Sequence, residues 1–234
     1  MTNLLEIHQI SHNFGTHDVL KELSLNVREG EFVTLIGPSG SGKSTLFNIT
    51  GGLLKPGSGE VLLNGQSIIG QTGHVSYMPQ TPSLMPWRTV LENVELGQEV
   101  QGHVNHERTM QLLKRCGFDD IKEAMPSTLS GGMRQRVSFI RALNSAGDLM
   151  LLDEPFSALD EVTRIDMQQW LKEILALEKR TVLMITHSIE EAIKLSDKIA
   201  VLEGKPATIK QIYDTSHMTS HEALRQELLE LLRT

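Results

Sequence analysis

A single cysteine, Cys116, occurs in the 234 residues, so no disulfide can form within the chain and a disulfide-stapled secreted scaffold is excluded. A reducing compartment is the simplest setting, and within its helical pattern Cys116 reads as a packed small hydrophobe rather than a nucleophile. No apolar run approaches the ~18 residues that a membrane-spanning helix needs. Met1-Thr2-Asn3 leads straight into alternating Leu5-Glu6-Ile7-His8, without the basic and apolar regions of a secretory leader. An excess of positive charge is also lacking. The formal net charge is −7 and the pI about 5.7, so nucleic acid is not generally attracted and only a local basic patch could contact it. No internal repeat or low-complexity segment appears. The expectation is a cytosolic chain of roughly one to two domains with a sizeable core.

What is present is concentrated in Gly37-Pro38-Ser39-Gly40-Ser41-Gly42-Lys43-Ser44-Thr45, a complete G-x-x-x-x-G-K-[ST] phosphate loop. Glu31-Phe32-Val33-Thr34-Leu35-Ile36 before it is apolar and β-branched enough for a buried strand, and Leu46-Phe47-Asn48-Ile49 after it begins a helical pattern,. Gly40 and Gly42 permit positive φ, which brings backbone N–H groups against phosphate oxygens at a helix N-terminus. Lys43 is expected to reach the β/γ-phosphates of a nucleoside triphosphate and Ser44 to ligate Mg²⁺.

Around this loop the pattern changes three times. Residues 3–30 and 59–78 carry short strand patterns broken by turns such as Asn64-Gly65 and Pro56-Gly57, which suits a small antiparallel sheet. Residues 86–145 read as mostly helical, with Asn105 as a cap, Met110, Leu112 and Leu113 as an apolar stripe, and Gly117 as a stop,. Strands at 149–153, 181–186 and 198–202 then alternate with helices at 160–178 and 188–195, the βαβ rhythm of a buried parallel sheet. Ser188-x-x-Glu191 and, near the end, Thr219-x-x-Glu222 have the form of capping boxes,. Leu224, Leu228 and Leu231 share one face of a terminal helix.

Leu149-Met150-Leu151-Leu152 delivers Asp153 and Glu154 to the carboxyl end of a strand, where ligands bind in parallel α/β sheets. Asp153 is placed to help hold Mg²⁺ and Glu154 to polarise an attacking water; the competing reading is a cap for the following helix. His187, following the strand at 181–186, projects at the same kind of edge and suits a γ-phosphate contact, although a lone histidine often serves as a surface or capping residue. Ser130-Gly131-Gly132 opens a helix and offers a second set of anion-binding N–H groups. One chain with one phosphate loop has no evident use for that second set.

Leu129-Ser130-Gly131-Gly132-Met133 resembles the signature motif of the ATP-binding subunits of ABC transporters, and the similarity extends over nearly the whole chain. It takes in the phosphate loop at 37–45, Gln80 closing Val75-Ser76-Tyr77-Met78-Pro79-Gln80, the signature, Asp153-Glu154, the D-loop Ser157-Ala158-Leu159-Asp160, and His187. The resemblance implies an α/β fold: a P-loop NTPase (RecA-like) core at about 33–58 and 146–202, an antiparallel β subdomain at about 3–32 and 59–78, an inserted α-helical subdomain at about 84–145, and a tail at 203–234. It also implies a head-to-tail homodimer, or a pairing with a paralogous subunit, in which each ATP lies between one phosphate loop and the other chain's signature. That arrangement gives Ser130, Gly131 and Gly132 a purpose on the partner's nucleotide. Further implied roles are Phe14 stacking on adenine, where the family more often has Tyr, and Gln80 sensing Mg²⁺ and water. An ordinary core aromatic is the other reading of Phe14. Ser188 stands where many relatives have Asp, and Asn144 replaces a small apolar residue, with a packing consequence expected.

Met85-Pro86-Trp87-Arg88-Thr89-Val90-Leu91-Glu92-Asn93-Val94 is similar to the region after the Q-loop in importers of the nitrate, sulfonate and taurine group. By that resemblance Trp87 faces a membrane permease, unless it is a core residue of the helical subdomain. The implied activity is ATP hydrolysis driving import through separate permease subunits, with a solute-binding protein engaged indirectly, no nucleic acid, and a peripheral location on the cytoplasmic face of the membrane. A soluble or non-importer ABC ATPase is the alternative. From the short segment after the core, the expectation is that the regulatory domain of sugar-importer relatives is lacking.

Overall fold

The structure is a computed structural model that describes residues 2–145, 147–215 and 221–233. The chain forms two compact units, one of Met1–His74 with Lys179–Thr234 and one of Val75–Glu178. Elements are numbered in chain order.

In the first unit an antiparallel sheet contains β1 (Asn3–Phe14), β2 (His17–Arg28), β4 (Ser58–Leu63) and β5 (Gln66–Ser67), in the order β2-β1-β4-β5. Leu5, Ile7 and Ile10 of β1 are all fully buried, although strict alternation would send Ile10 outward. Gln9, with φ 48°, supplies the extra residue of a bulge, and the register with β2 shifts between Ile7 and Ile10,. The turn after β4 is Asn64 (φ 51°) and Gly65 (φ 73°), the two left-handed residues of a tight hairpin.

The same unit holds β3 (Phe32–Ile36), β8 (Thr181–Ile185), β9 (Lys198–Glu203) and β10 (Thr208–Asp214). β3 lies in parallel between β8 and β9, and β10 runs antiparallel along β9. Every residue of β3 and β8 is buried, as expected of strands covered on both faces. Helices α1 (Lys43–Thr50), α6 (Ile189–Leu195) and α7 (His221–Arg233) belong here. Ile189, Ala192 and Ile193 form a cluster with Ile36, Ile199, Val201, Tyr213, Leu224 and Leu228, and Tyr213 Oη donates to Glu227 Oε1 at 2.8 Å. Strand β10 has no counterpart among the expected elements. Only Tyr213 in it is buried, so an exposed edge strand leaves little apolar pattern to detect. Thr219 of the expected terminal capping box lies outside the described residues.

In the second unit β6 (Val75–Met78) pairs in parallel with β7 (Leu149–Asp153). Residues 75–78 therefore do not join the antiparallel sheet to which the sequence pattern assigned them. A four-residue strand carries its facing pattern but not the direction of its neighbour. Helices α2 (Val90–Val100), α3 (His106–Arg115), α4 (Gly131–Asn144) and α5 (Glu161–Glu178) complete the unit. A reciprocal capping box starts α2, with Thr89 N–H donating to Glu92 Oε2 at 2.8 Å and Glu92 N–H to Thr89 Oγ1 at 3.2 Å,. Asn105 Oδ1 accepts from Arg108 N–H at 3.0 Å to start α3, and Gly117 at φ 74° follows its end,. Cys116 is buried; burial, with Glu178 nearby, pushes its thiol up to about 12, as suits a packing residue.

Asn144 does more than pack. It is 1% exposed, accepts from Gln98 Nε2 at 3.1 Å, and donates to Val94 O at 3.1 Å and Thr109 Oγ1 at 3.0 Å. This one amide ties α2, α3 and α4 together, an outcome that its apolar sequence surroundings did not announce.

Candidate nucleotide-binding site

The phosphate loop leaves the carboxyl end of β3 and enters α1. A Cβ on Gly37 would stand 2.7 Å from Leu202 O and 2.9 Å from Ser41 Oγ, so only glycine fits there. Gly40 (φ 77°) and Gly42 (φ 80°) are left-handed, and Gly42 O accepts from Leu46 N–H at 2.9 Å as the helix starts. The loop thus turns its amides toward the N-terminus of α1, where an anion is favoured. Pro38, Ser39 and Ser44 are exposed, Thr45 is half-buried, and Lys43 is buried. Lys43 Nζ donates to Gly37 O at 2.8 Å and Pro38 O at 2.9 Å. Its ammonium lies inside the loop, where phosphate oxygens would compete with these carbonyls as stronger, charged acceptors.

Phe14, at the end of β1, is 55% exposed, which removes the core-aromatic reading. Its ring and that of His12 meet edge to face, with centroids 4.7 Å apart. His187 is exposed, two residues beyond β8. The next residue, Ser188, caps α6 by accepting from Glu191 N–H at 3.2 Å and donates its own N–H to Thr186 Oγ1 at 3.1 Å. The expected box is therefore only half formed. Glu191 accepts from the Thr186 hydroxyl, and that same hydroxyl takes the Ser188 N–H which the carboxylate would otherwise have bound.

In the second unit Asp153 ends β7 half-buried, and Tyr77 Oη of β6 donates to its Oδ2 at 3.1 Å. Glu154 follows in a left-handed conformation, φ 43°. Gln80 Nε2 donates to Glu154 Oε2 at 3.1 Å and to Ser157 Oγ at 3.2 Å, and Ser157 Oγ donates to Glu154 O at 3.1 Å. Gln80 and Glu154, 74 positions apart, are thereby brought together. Ser130 caps α4 by accepting from Met133 N–H at 3.2 Å. The two glycines after it differ in kind: a Cβ on Gly132 would stand 2.7 Å from Thr163 Cγ2, whereas one on Gly131 would meet nothing within 4 Å. Gln135 Nε2 donates to Pro155 O at 2.7 Å, which fastens α4 to the segment carrying Glu154. Asp160 caps α5 through Thr163, whose hydroxyl and N–H hold its carboxyl below the usual range.

Trp87 is 71% exposed, so it is no core residue of the helical unit. Beside it Arg88 pairs with Glu99 at 2.6 Å. Among the described residues no cluster of three or more His, Cys, Asp or Glu could cage a metal. In the first unit the Ser44 hydroxyl, and in the second the Asp153 carboxylate and the Gln80 amide, are each hard oxygen donors of the kind Mg²⁺ takes, an ion that commonly completes its shell with substrate phosphates and water. Sequence reasoning missed Tyr77 and Asn144. The pairing of β6 with β7 is the signal that would have found the first, because it puts Tyr77 and Asp153 on one face.

A family profile described as ABC transporter matches residues 20–157. The chain is 44% identical over 209 residues to the aliphatic sulfonates import ATP-binding protein SsuB 1 of Rhodococcus jostii, covering 88% of this chain and 83% of that one. It is 40% identical over 207 residues to the formylaminopyrimidine import ATP-binding protein ThiZ of Halalkalibacterium halodurans, covering 87% and 81%. Among solved structures it is similar to a dimeric ATP-binding cassette in a post-hydrolysis state with ADP and Pi, at TM-score 0.75 and 31% identity, covering 90% of this chain and 98% of that one. The ADP form of another ABC transporter cassette, 23% identical, shares the fold at TM-score 0.86 over 99% and 98% of the two chains.

Proposed function

The chain belongs to the ABC transporter family as an ATP-binding, ATP-hydrolysing subunit, and we propose that it acts in a head-to-tail dimer that drives solute import through a separate membrane permease. The partner chain is a second copy or a paralogous ABC subunit. One observation carries the dimer: Gly131 opens α4 without a positive φ and with nothing near its absent side chain, so neither backbone strain nor packing within the chain calls for glycine. Close approach of something outside the chain does, and the N-terminus of α4 favours an anion. The γ-phosphate held by a partner's phosphate loop is such a group.

The phosphate loop from Gly37 to Thr45, through the backbone N–H groups that every residue but Pro38 carries, and the Lys43 ammonium bind the phosphates, and Phe14 stacks on the adenine. Ser44, Asp153 and Gln80 would hold Mg²⁺, which supplies positive charge against the β- and γ-phosphates. Glu154 takes a proton from the attacking water as the oxygen closes on the γ-phosphorus, and the bond to the β-phosphate oxygen breaks to give ADP and phosphate. His187 donates a ring N–H to the γ-phosphate, while Ser130, Gly131 and Gly132 serve the partner's nucleotide. Most of the rate enhancement lies in positioning, so activity requires the assembled pair. The exposed Trp87 surface receives a cytoplasmic segment of the permease, which places the subunit on the inner face of the membrane. Relatives named for sulfonate and formylaminopyrimidine import support a solute of the nitrate, sulfonate and taurine type, delivered by a solute-binding protein that this chain does not touch.

Mixing two inactive variants tests the pairing. Lys43→Ala should lose about 1.5–3 kcal/mol of ATP affinity, the scale of a hydrogen bond to a charged group. Ser130→Arg should bind ATP normally as a monomer yet fail to hydrolyse it, with its melting temperature checked because Ser130 also caps α4. A mixed dimer has one site with both lesions and one with neither, so activity should return on mixing. Ser130→Arg monomers that lose ATP affinity as severely as Lys43→Ala would place the signature on its own chain's nucleotide and end the head-to-tail reading.

A further inference from the structure

In the parallel pair of β6 and β7, Tyr77 stands opposite Leu151, and alternation puts Leu151 and Asp153 on one face. With strands about 4.8 Å apart and about 6.6 Å per two residues, Tyr77 and Asp153 are same-face diagonal neighbours roughly 8 Å apart. Among uncharged side chains tyrosine has the length and the terminal donor for that gap, and its Oη meets Asp153 Oδ2 at 3.1 Å. An aspartate χ2 well is broad, and a fixed donor on one oxygen narrows it.

We propose that Tyr77 is a positioning residue for the magnesium site, its hydroxyl holding the Asp153 carboxylate in the orientation from which it serves a magnesium-bound nucleotide. This rests on the assignment of Asp153 to the metal under the proposed function. Its role is to act through Asp153, the partner of its hydroxyl. Loss of such an outer partner typically costs 10–100-fold in metal affinity. The lower end, about tenfold, is expected for an ion that phosphates also hold.

Tyr77→Phe keeps the ring and removes one oxygen. ATP binding by the full chain is measured calorimetrically in EDTA and again in saturating Mg²⁺, and the ratio of the two affinities reports the metal's coupling to the nucleotide by linkage. The variant should match wild type in EDTA within about twofold and lose about tenfold of the Mg²⁺-dependent gain. Tyr77→Gln, whose donor sits on an arm too short for that gap, should not recover it. Asp153→Asn is the reference. A full Mg²⁺ gain in Tyr77→Phe beside a lost one in Asp153→Asn overturns the positioning role and leaves Asp153 its metal, whereas a full gain in both removes the underlying assignment. Weakened binding in EDTA, or failure of Tyr77→Phe to fold, assigns the hydroxyl to the fold and likewise overturns the proposal.

Discussion

Replacing Asn144 by alanine should loosen the helical unit without touching any proposed ligand contact. Three side-chain hydrogen bonds disappear, one from Gln98 Nε2 and one each to Val94 O and Thr109 Oγ1. At about 1 kcal/mol net for each bond, the loss is about 3 kcal/mol. The remaining partners limit it to that scale. Gln98 Nε2 keeps the Asn144 carbonyl at 3.1 Å, and the Thr109 hydroxyl keeps Asn105 O at 3.1 Å, so no buried donor is stranded. For a chain of this length about 3 kcal/mol corresponds to a fall of roughly 6–12 °C in unfolding temperature. Calorimetry measures the fall, and native-state hydrogen exchange locates it. Amides of α2, α3 and α4 should open about a hundredfold more often, while those of β3 and β8 change less. A variant that melts within about 2 °C of wild type, or whose exchange rises equally in every element, would refute the claim that this amide holds the three helices together.

Glu154→Gln should keep ATP binding while lowering steady-state turnover about 10²–10⁴-fold, because the amide preserves the shape and loses the base; ATPase assays at the wild-type rate would remove Glu154 from the chemistry. Trp87→Ala should leave the melting curve and ATP affinity of the isolated subunit unchanged, since the ring is 71% exposed, yet weaken co-purification with the permease by about tenfold or more, as loss of an aromatic anchor does. Full retention of the permease would dismiss Trp87 as that anchor.

Legibility in the sequence followed the range of the interaction. The strands ending at Asp153 and before His187 were readable because burial on both faces leaves unbroken apolar runs,. The bounds of α3 were readable because Asn105 and Gly117 signal through their own backbone neighbours,. The phosphate loop was readable for the same reason, since its glycines answer to local φ and close approach. Partners far along the chain were not. The sheet that residues 75–78 join is set by strand β7, more than 70 positions on, whereas β10 was hidden by its exposure and the Ser188–Glu191 box by a local competitor, the Thr186 hydroxyl. Tyr77 with Asp153 and Gln80 with Glu154 are contacts across 76 and 74 positions, which no local pattern encodes.

Glu154 joins the two scales. Continued extension beyond β7 would send its side chain to the face opposite Asp153. Instead the backbone turns left-handed at once, with φ 43°, at a residue with no glycine-like freedom, for which that conformation costs about 1–3 kcal/mol. Two hydrogen bonds offset part of this, Gln80 Nε2 on the carboxylate and Ser157 Oγ on the carbonyl. Glycine would adopt the same turn without strain and still present the carbonyl to Ser157. Glycine would thus relieve the strain but lose the Gln80 hydrogen bond to the carboxylate. The reversal brings it against a glutamine from β6's exit while Asp153, one residue earlier, stays on Tyr77. Adjacent carboxylates so separated by a single backbone turn can hold different partners, one suited to a metal and one to a water, which is the division of labour that ATP hydrolysis asks of them.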